Sequence, residues 1–290
     1  MLARVKERVQ FVSSGLQLAG VLQLPDDLRP GERRAAFLVL HGFGSNKDGG
    51  NVTTVADLLT RFGYITLRFD MHGCDNSQKP RSRTICLEQV EDTRAALEFL
   101  SRRKDVARVG VIGHSFGAAV AVYAAGVDER FAACISSGGW GDGVKKFRKQ
   151  HESPEAWAKF EAMLAEGRKR ASRGESMMVP RFDIVPIKPE LRHHLAQGSI
   201  LEFPFEVVES MLAFRANDVV GRIAPRPLLL IHPANDTVTP TEQSVDLFLN
   251  AGQPTDLHLV AGTDHFIFNE GNRLVVNLVR DWLAQHFPAR

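Results

Sequence analysis

Short apolar runs and helical segments alternate along most of this chain, and that alternation constrains the fold more than any other feature. The apolar runs are rich in β-branched residues, as expected for strands buried on both faces of a parallel sheet. They fall at residues 35–40, 64–69, 106–112, 131–136, 227–231 and 257–260. Helical periodicity fills the intervals at 52–61, 87–102, 116–126, 241–250 and 272–286. The sequence therefore predicts an α/β fold with a doubly wound, mostly parallel sheet and right-handed crossovers.

Two segments depart from this rhythm. Near the start, alternating segments at 9–13 and 18–24 flank Ser14-Gly15 and predict an antiparallel hairpin. Between Trp140 and Gly221 no strand-like run appears, and charged helical stretches are interrupted by prolines. We interpret 140–221 as a helical lid of several short helices, inserted into one domain that spans 1–290.

The predicted lid carries both apolar and basic residues. From Lys145 to Arg173 there are nine Lys or Arg against four Glu, which favours a solvated helical face and leaves attraction of an anionic substrate as the alternative. Its large apolar residues are expected to form the lid core or to reach an acyl or alcohol pocket. These residues are Trp157, Phe160, Met163, Phe203, Phe205, Met211 and Phe214.

Composition argues against several classes of protein. A net charge of +2 gives no reason to expect a nucleic-acid partner. No apolar stretch approaches the roughly 20 residues of a membrane-spanning helix, and residues 1–10 lack the apolar core of a signal peptide. The three cysteines, Cys74, Cys86 and Cys134, show no C-x-x-C spacing and are expected to be reduced thiols. We therefore expect a cytoplasmic protein without membrane or nucleic-acid partners.

A G-x-S-x-G sequence follows the apolar run that ends at Ile112. It reads Gly113-His114-Ser115-Phe116-Gly117, and a run of small residues suited to a closely packed helix comes after it. Strand, sharp turn and helix in that order are typical of a nucleophile elbow, which holds a serine hydroxyl above the sheet. We predict Ser115 as a nucleophile, with a glycine-rich structural turn as the alternative.

A serine hydroxyl needs a base, and the base needs an acid to orient it. His265 follows the last predicted strand and Asp236 follows the strand before it, in the chain order serine, acid, histidine. All three residues then lie at the carboxyl edge of the sheet, where open parallel sheets bind ligands. This placement predicts His265 as the base and Asp236 as the acid.

Other residues compete for these roles. Asp236 could instead cap the helix that begins near Pro240. The rival acids are Asp264, which adjoins His265 and is poorly placed to reach its ring, and Asp70 and Asp75, which are expected to serve a turn. The other histidines at strand ends, His41, His114 and His232, are expected to be supporting or turn residues.

Acyl transfer also requires hydrogen-bond donors aimed at the developing oxyanion. The backbone N–H of Phe116, directly after the serine, is one predicted donor. The second is the N–H of Phe43, in the glycine-rich loop after the first parallel strand. That loop has no phosphate-binding signature, and no H-E-x-x-H or Cys/His cluster is present, so we expect neither a cofactor nor a catalytic metal.

With these motifs, the chain resembles serine hydrolases of the α/β-hydrolase fold over nearly its whole length. It is most similar to bacterial carboxylesterases of the cinnamoyl or feruloyl esterase type and to their dienelactone-hydrolase and serine-aminopeptidase-like relatives. The matching motifs are His41-Gly42-Phe43-Gly44, Phe69-Asp70-Met71-His72-Gly73 with Ser77, the Ser115 elbow and the Asp236 and His265 loops. The resemblance implies the same nucleophile, acid, base and oxyanion donors as above.

The chain departs from the family pattern at two loops. His232-Pro233-Ala234-Asn235-Asp236 replaces the usual H-G-x-x-D, which alters the turn and keeps the carboxylate. Cys74-Asp75-Asn76 replaces a glycine-containing stretch near the pocket. The function expected from these residues is hydrolysis of a small carboxylic ester through an acyl-enzyme. Amide, thioester or C–C hydrolysis by the same residues, a non-catalytic binding protein and a homodimer remain open.

Overall fold

Eight strands form one sheet, and their order confirms the doubly wound α/β architecture. The computed structural model describes residues 5–74, 81–268 and 272–290. Within them the strands are β1 (Lys6–Ser13), β2 (Leu16–Gln23), β3 (Arg34–Leu40), β4 (Ile65–Phe69), β5 (Val106–His114), β6 (Phe131–Ser137), β7 (Met178–Pro180), β8 (Glu202–Pro204), β9 (Leu228–Pro233) and β10 (Thr255–Val260). The large sheet has the order β1-β2-β4-β3-β5-β6-β9-β10. Strands β1 and β2 form the predicted antiparallel hairpin, and β4, β3, β5, β6, β9 and β10 run parallel.

Helices cover both faces of this sheet. The described α-helices are α1 (Gly50–Arg61), α2 (Cys86–Ser101), α3 (Phe116–Val127), α4 (Gly143–Gln150), α5 (Pro154–Ala171), α6 (Arg181–Ile184), α7 (Phe205–Ala213), α8 (Glu242–Asn250) and α9 (Arg273–His286). The apolar residues of α1 and α9 pack in one core, and those of α2 and α3 pack in the other. The sheet is therefore buried on both faces, as the continuous apolar runs predict.

The centre of the sheet is β3, whose seven residues are all buried. Helix α3 packs against it closely because its inner residues are small. A Cβ added at Gly117, in the first turn of α3, would lie 2.4 Å from the carbonyl oxygen of His41 at the end of β3. This close approach sets the first turn of α3 directly beside the carboxyl end of the central strand.

The 140–221 segment contains four α-helices, α4 to α7, and also two strands, which the sequence did not predict. Strands β7 and β8 pair antiparallel, with buried Val179 opposite buried Phe203. Each has three residues, which is too short to show the period-2 alternation of a strand. The expectation of a purely helical segment is therefore wrong at this pair of strands. No helix among the described residues has both the length and the apolar character needed to cross a bilayer.

The large apolar residues of this segment pack on one another and on the main domain, in the same core as α2 and α3. Phe160 stacks on Phe147 with ring centroids 5.0 Å apart, and Phe214 lies 5.3 Å from Trp140. Phe160, Phe203, Phe205, Met211 and Phe214 are buried, and Trp157 and Met163 are half-buried against the same core. Their packing accounts for these side chains without a ligand.

Helix α4 buries a lysine, and this buried amine makes the free energy of unfolding of the protein depend on pH. The Lys146 side chain is 2% exposed, and its ammonium donates to Gln150 Oε1 at 2.9 Å and lies 3.9 Å from the ring centroid of Phe147. Burial lowers the pKa of Lys146 to about 7. The unfolded chain keeps the ordinary value of about 10.4, so between these values it binds more protons than the folded protein.

The free energy of unfolding of the wild type, measured relative to Lys146→Met, should therefore rise with pH between about 7 and 10. The slope should approach about 1.4 kcal/mol per pH unit. Urea unfolding of both proteins across that pH range measures it. The control is Lys145→Met, because the Lys145 side chain is 62% exposed and is paired with Asp246. The prediction fails if the difference in unfolding free energy between the wild type and Lys146→Met changes with pH no more than the difference between the wild type and Lys145→Met. That result would show that the buried amine of Lys146 does not lose its proton in this range.

Candidate active site

Ser115 stands in the strained backbone of an elbow between β5 and α3. Its φ of 57° and ψ of −120° lie in a region that residues with a side chain rarely adopt. Its N–H donates to the carbonyl oxygen of Ser137 on the neighbouring strand at 2.8 Å, which ties the elbow to the sheet. The turn requires a residue without a side chain at position 113, because a Cβ there would lie 2.0 Å from the carbonyl oxygen of Gly117. The structure thus forms the predicted elbow at the predicted residues.

Gly113→Ala is expected to destabilise the fold by more than about 3 kcal/mol, because the new methyl group meets backbone that cannot move without opening the elbow. Urea unfolding followed by circular dichroism measures the loss. Gly50→Ala is the control: its Cβ meets nothing within 4 Å, so its unfolding midpoint should not fall. An unfolding midpoint for Gly113→Ala equal to that of the wild type would contradict the close packing at this turn.

His265 and Asp236 lie together at the carboxyl edge of the sheet. The loop after β10 carries His265, which is 2% exposed, and the loop after β9 carries Asp236, whose side chain is fully buried. His265 Nδ1 lies 2.8 Å from Asp236 Oδ2. Because a carboxylate can only accept, Nδ1 carries the proton and donates it, which leaves the lone pair of the ring on Nε2. This is the tautomer that a general base acting through Nε2 requires.

The loop after β9 is built to keep Asp236 charged. Its Oδ1 accepts from the N–H groups of Val238 and Thr239, both at 2.8 Å. Burial alone would raise the pKa of this carboxyl, but the neighbouring His265 and His232 together hold the pKa well below its usual range. Asp236 therefore stays an acceptor for the ring of His265 across the whole range in which the protein is expected to work.

His232 supports the acid from the opposite side. Its Nε2 lies 3.3 Å from Asp236 Oδ2 and 3.0 Å from the carbonyl oxygen of Thr239, so Nε2 carries the proton. Nδ1 then accepts from the hydroxyl of Ser244 at 2.6 Å. The sequence suggested a supporting or turn residue here, and the contact with Asp236 agrees with that interpretation. In the sequence, the four-residue separation of His232 and Asp236 was the signal from which this contact could have been predicted.

The rival acids have other contacts. Asp264 accepts from the N–H of His265 at 2.7 Å and from the N–H of Thr237 at 2.9 Å, so it joins the two loops without binding the ring. Asp70 binds the main-chain N–H and the ammonium of Lys47 and thereby holds the loop after β3. Asp75 lies outside the described residues, as do Asn76 and Ser77. Among the described carboxylates, only Asp236 hydrogen-bonds the ring of His265.

A cavity of about 50 Å³ lies at the carboxyl edge of the sheet, beside the Ser115 elbow and the His265 loop. Ser115, His265 and the loop after β3, including Phe43, line it. Within the described parts of the chain, the N–H groups of Phe43 and Phe116 donate to no protein acceptor. Phe116 N–H lies at the N-terminus of α3, where the helix dipole adds positive potential. Both predicted oxyanion donors thus lack a protein acceptor; Phe43 lines the cavity, and Phe116 directly follows Ser115, which also lines it.

His114 also lines the cavity, beside the serine. Its ring is buried, with its centroid 4.8 Å from that of His265, and neither ring nitrogen has a partner among the described residues. Burial, with a smaller contribution from the neighbouring His265, lowers the pKa of His114 to about 3. His114 therefore remains neutral near pH 7 and does not compete with His265 for charge.

The 140–221 segment supplies six further residues of the wall, none of which the sequence singled out. They are Arg181, Val185, Ile187, His194, Leu195 and Ala196. None of the seven apolar residues predicted for the pocket or lid core is among the described lining residues. Which residues of an insertion face a cavity depends on how its helices dock on the domain, and the local pattern does not encode that docking.

The described residues contain no group of three or more His, Cys, Asp or Glu side chains placed to hold a metal.

The sheet order, the elbow after β5 and the loops after β9 and β10 define the class of protein. It is a hydrolase of the α/β-hydrolase fold, as the sequence predicted. The chain belongs to the serine aminopeptidase S33 family, whose profile matches residues 31–272.

Solved structures and a curated relative agree with this class. The chain is similar to the α/β hydrolase GrgF from Penicillium sp., with a TM-score of 0.77, 23% identity and coverage of 97% of this chain and 99% of that one. It is also similar to Est1E from Butyrivibrio proteoclasticus, solved with ferulic acid bound, with a TM-score of 0.70, 17% identity and coverage of 96% and 98%. A thiohydrolase from Eupenicillium brefeldianum is 24% identical over 285 residues, which cover 90% of this chain and 87% of the relative.

Proposed function

We propose that this hydrolase is a serine esterase that cleaves a small carboxylic ester through an acyl-enzyme. The observation that carries the proposal is the 2.8 Å contact between His265 Nδ1 and Asp236 Oδ2, in a cavity wall that His265 shares with the strained Ser115. A buried and charged acid, a histidine with its lone pair on Nε2 and a serine raised above the sheet are the parts that nucleophilic acyl transfer needs.

In the first half of the reaction, Ser115 Oγ attacks the ester carbonyl while His265 Nε2 takes its proton. Asp236 stabilises the imidazolium that forms, and the N–H groups of Phe43 and Phe116 bind the oxyanion. The C–O bond to the alcohol then breaks, and His265 returns the proton to the leaving oxygen. In the second half, water attacks the acyl carbon while His265 takes a proton from the water. The bond from the acyl carbon to Ser115 Oγ then breaks, His265 returns the proton to Ser115 Oγ, and the carboxylic acid leaves. The 140–221 segment acts as a lid that keeps bulk water from this cavity.

Thioester hydrolysis by the same residues is the second candidate. The observation in its favour is the similarity, along 90% of this chain, to a protein named as a thiohydrolase. A thioester needs the same nucleophile, base and oxyanion donors, but its leaving thiolate depends less on protonation by His265. A series of oxygen esters and thioesters with the same acyl group would separate the two candidates.

Aminopeptidase activity is less compatible with the cavity, in spite of the name of the family. The free amino group of an aminopeptidase substrate is a cation, and an acidic side chain is the natural partner for it. No Asp or Glu of the described chain lines the cavity, whereas Arg181 does. This arrangement disfavours a bound ammonium group next to Ser115.

The proposal is tested with p-nitrophenyl esters from acetate to octanoate and with a fluorophosphonate probe. We expect hydrolysis with a clear chain-length optimum and stoichiometric labelling, and peptide mapping should place the label on Ser115. Folded protein that neither hydrolyses these esters nor takes the label would contradict the proposal and would favour the non-catalytic alternative. Labelling of a different serine would contradict the assignment of Ser115.

A further inference from the structure

Arg181 places a buried positive charge in the wall of the cavity. The residue is 4% exposed, and its guanidinium donates to the carbonyl oxygen of Phe43 at 2.7 Å and to that of Ile200 at 3.0 Å. Its Nε is buried and has no hydrogen-bond partner. No carboxylate of the described residues lies within ion-pair distance of it. Burial lowers its pKa to about 10, so the guanidinium remains charged near pH 7.

A charge in this position is costly unless something compensates it. Buried arginines are normally paired with a carboxylate or a phosphate, because carbonyl oxygens and rings offset only part of the lost hydration. The ring of Phe43, 5.3 Å away, adds a weak cation–π contact. The Arg181 guanidinium is therefore a buried cation whose counter-ion is absent from the described protein.

A second positive feature lines the same cavity. Helix α1 has 12 residues and begins there, with Gly50, Asn51 and Val52 in the cavity wall. Its N-cap, Gly49, provides no side-chain cap, and its first turn holds no acidic residue. Within the described chain, the N–H groups of these three wall residues have no acceptor. An uncapped helix N-terminus favours an anion.

The remaining described wall contains no Asp, Glu, Lys or second Arg, and it includes the apolar side chains of Val185, Ile187 and Val238. We propose that the substrate carries a carboxylate in addition to its ester group, and that Arg181 and the N-terminus of α1 bind it. The inference rests on the proposed esterase function and narrows its substrate to ester derivatives that carry a negative charge. The carboxylate belongs either to the acyl group or to the leaving group.

A purely structural function is the competing explanation for Arg181. Through the carbonyl oxygen of Phe43 it ties the 140–221 segment to the loop after β3, which also receives a bond from Ile200 N–H to Gly44 O at 2.9 Å. The two explanations differ in what they predict. Loss of a structural tie would slow all esters alike, whereas loss of a carboxylate partner would slow only the anionic ones.

Two matched pairs of esters test the proposal. The first compares the mono-p-nitrophenyl ester of glutaric acid with p-nitrophenyl pentanoate, so that only the acyl group gains a carboxylate. The second compares 4-carboxyphenyl butyrate with 4-carbamoylphenyl butyrate, so that only the leaving group does. In one pair the wild type should prefer the anionic ester at least about tenfold in kcat/KM, chiefly through KM. The pair that shows the preference identifies the source of the carboxylate.

Variants then assign the preference to the cavity. Arg181→Met should abolish it, and Arg181→Lys should retain part of it because the charge remains. Asn51→Asp should weaken it by placing a carboxylate in the wall while every Arg181 contact stays in place, and Asp at a helix N-terminus favours folding. Lys188→Met, which removes an exposed positive charge from outside the wall, should leave the preference unchanged. If Arg181→Met fails to fold, Asn51→Asp decides the question.

Binding of glutarate, measured by calorimetry, separates this inference from the proposed function. We expect Arg181→Met or Asn51→Asp to weaken glutarate binding about tenfold. The inference would be overturned if the wild type showed no preference for the anionic esters, or if that preference survived in both variants. The proposed esterase function would stand in either case. Glutarate binding that depends on Arg181, in a protein that hydrolyses no ester, would overturn the esterase proposal and keep the carboxylate site.

Discussion

Replacing Ser115 with alanine is expected to lower kcat for ester hydrolysis by at least about three orders of magnitude. The variant loses the nucleophile, and only the oxyanion donors and substrate binding remain to accelerate attack by water. Initial rates on the best p-nitrophenyl ester measure the loss. The fold should survive, because the side chain of Ser115 makes none of the contacts that tie the elbow to the sheet; its main-chain N–H makes the bond to Ser137.

Ser45→Ala is the matched control for this variant. Ser45 lines the same cavity but is not at the elbow, so its loss should change kcat by less than about tenfold. The fluorophosphonate label should disappear from Ser115→Ala and remain on Ser45→Ala. Activity in Ser115→Ala close to that of the wild type would refute the assignment of the nucleophile.

Asp236→Asn is expected to lower kcat by about 10⁴, the scale seen when the acid of such a triad becomes an amide. The four groups around this carboxyl are all donors: the N–H groups of Val238 and Thr239, His265 Nδ1 and His232 Nε2. An amide NH₂ in this site must face at least one donor. If it faces His265, the ring takes the tautomer with its proton on Nε2, and it can no longer accept the proton of Ser115.

The control for Asp236 is Asp264→Asn, because Asp264 lies in the same pair of loops and bonds the N–H of His265 instead of its ring. Its loss should reduce kcat far less, within about tenfold, by loosening the loops. Near-ultraviolet circular dichroism of both variants checks that they fold. Equal losses in the two variants would contradict Asp236 as the particular partner of the ring.

The fold was predictable from local patterns, because each strand of a buried parallel sheet is a short apolar run and each covering helix shows its own period. The observed boundaries differ from the predicted ones by a few residues, as at β5, which continues through His114. The antiparallel pairing of β7 with β8 was missed, since three-residue strands carry no measurable alternation. Its pairing depends on contacts between residues that lie more than 20 positions apart in the chain.

The candidate site was predictable to a similar degree. The elbow motif is contiguous, and the order of the loops after β5, β9 and β10 brings Ser115, Asp236 and His265 to one edge of the sheet. The sequence alone did not decide whether Asp236 or Asp264 hydrogen-bonds the ring of His265. The difference between Asp236 and Asp264 depends on the path of two loops that are far apart in the chain.

By itself, the sequence determined the class of fold, the position of the elbow and the short set of residues that can do chemistry, because those features arise from local periodicity and contiguous motifs. Tertiary structure alone decided that Asp236 bonds the ring of His265, that the large apolar residues of 140–221 join the core formed with α2 and α3, and that Arg181 is buried in a cavity wall that has no carboxylate among its described residues. These outcomes depend on how distant segments dock, and docking reflects the summed packing and desolvation of many side chains that no local pattern records.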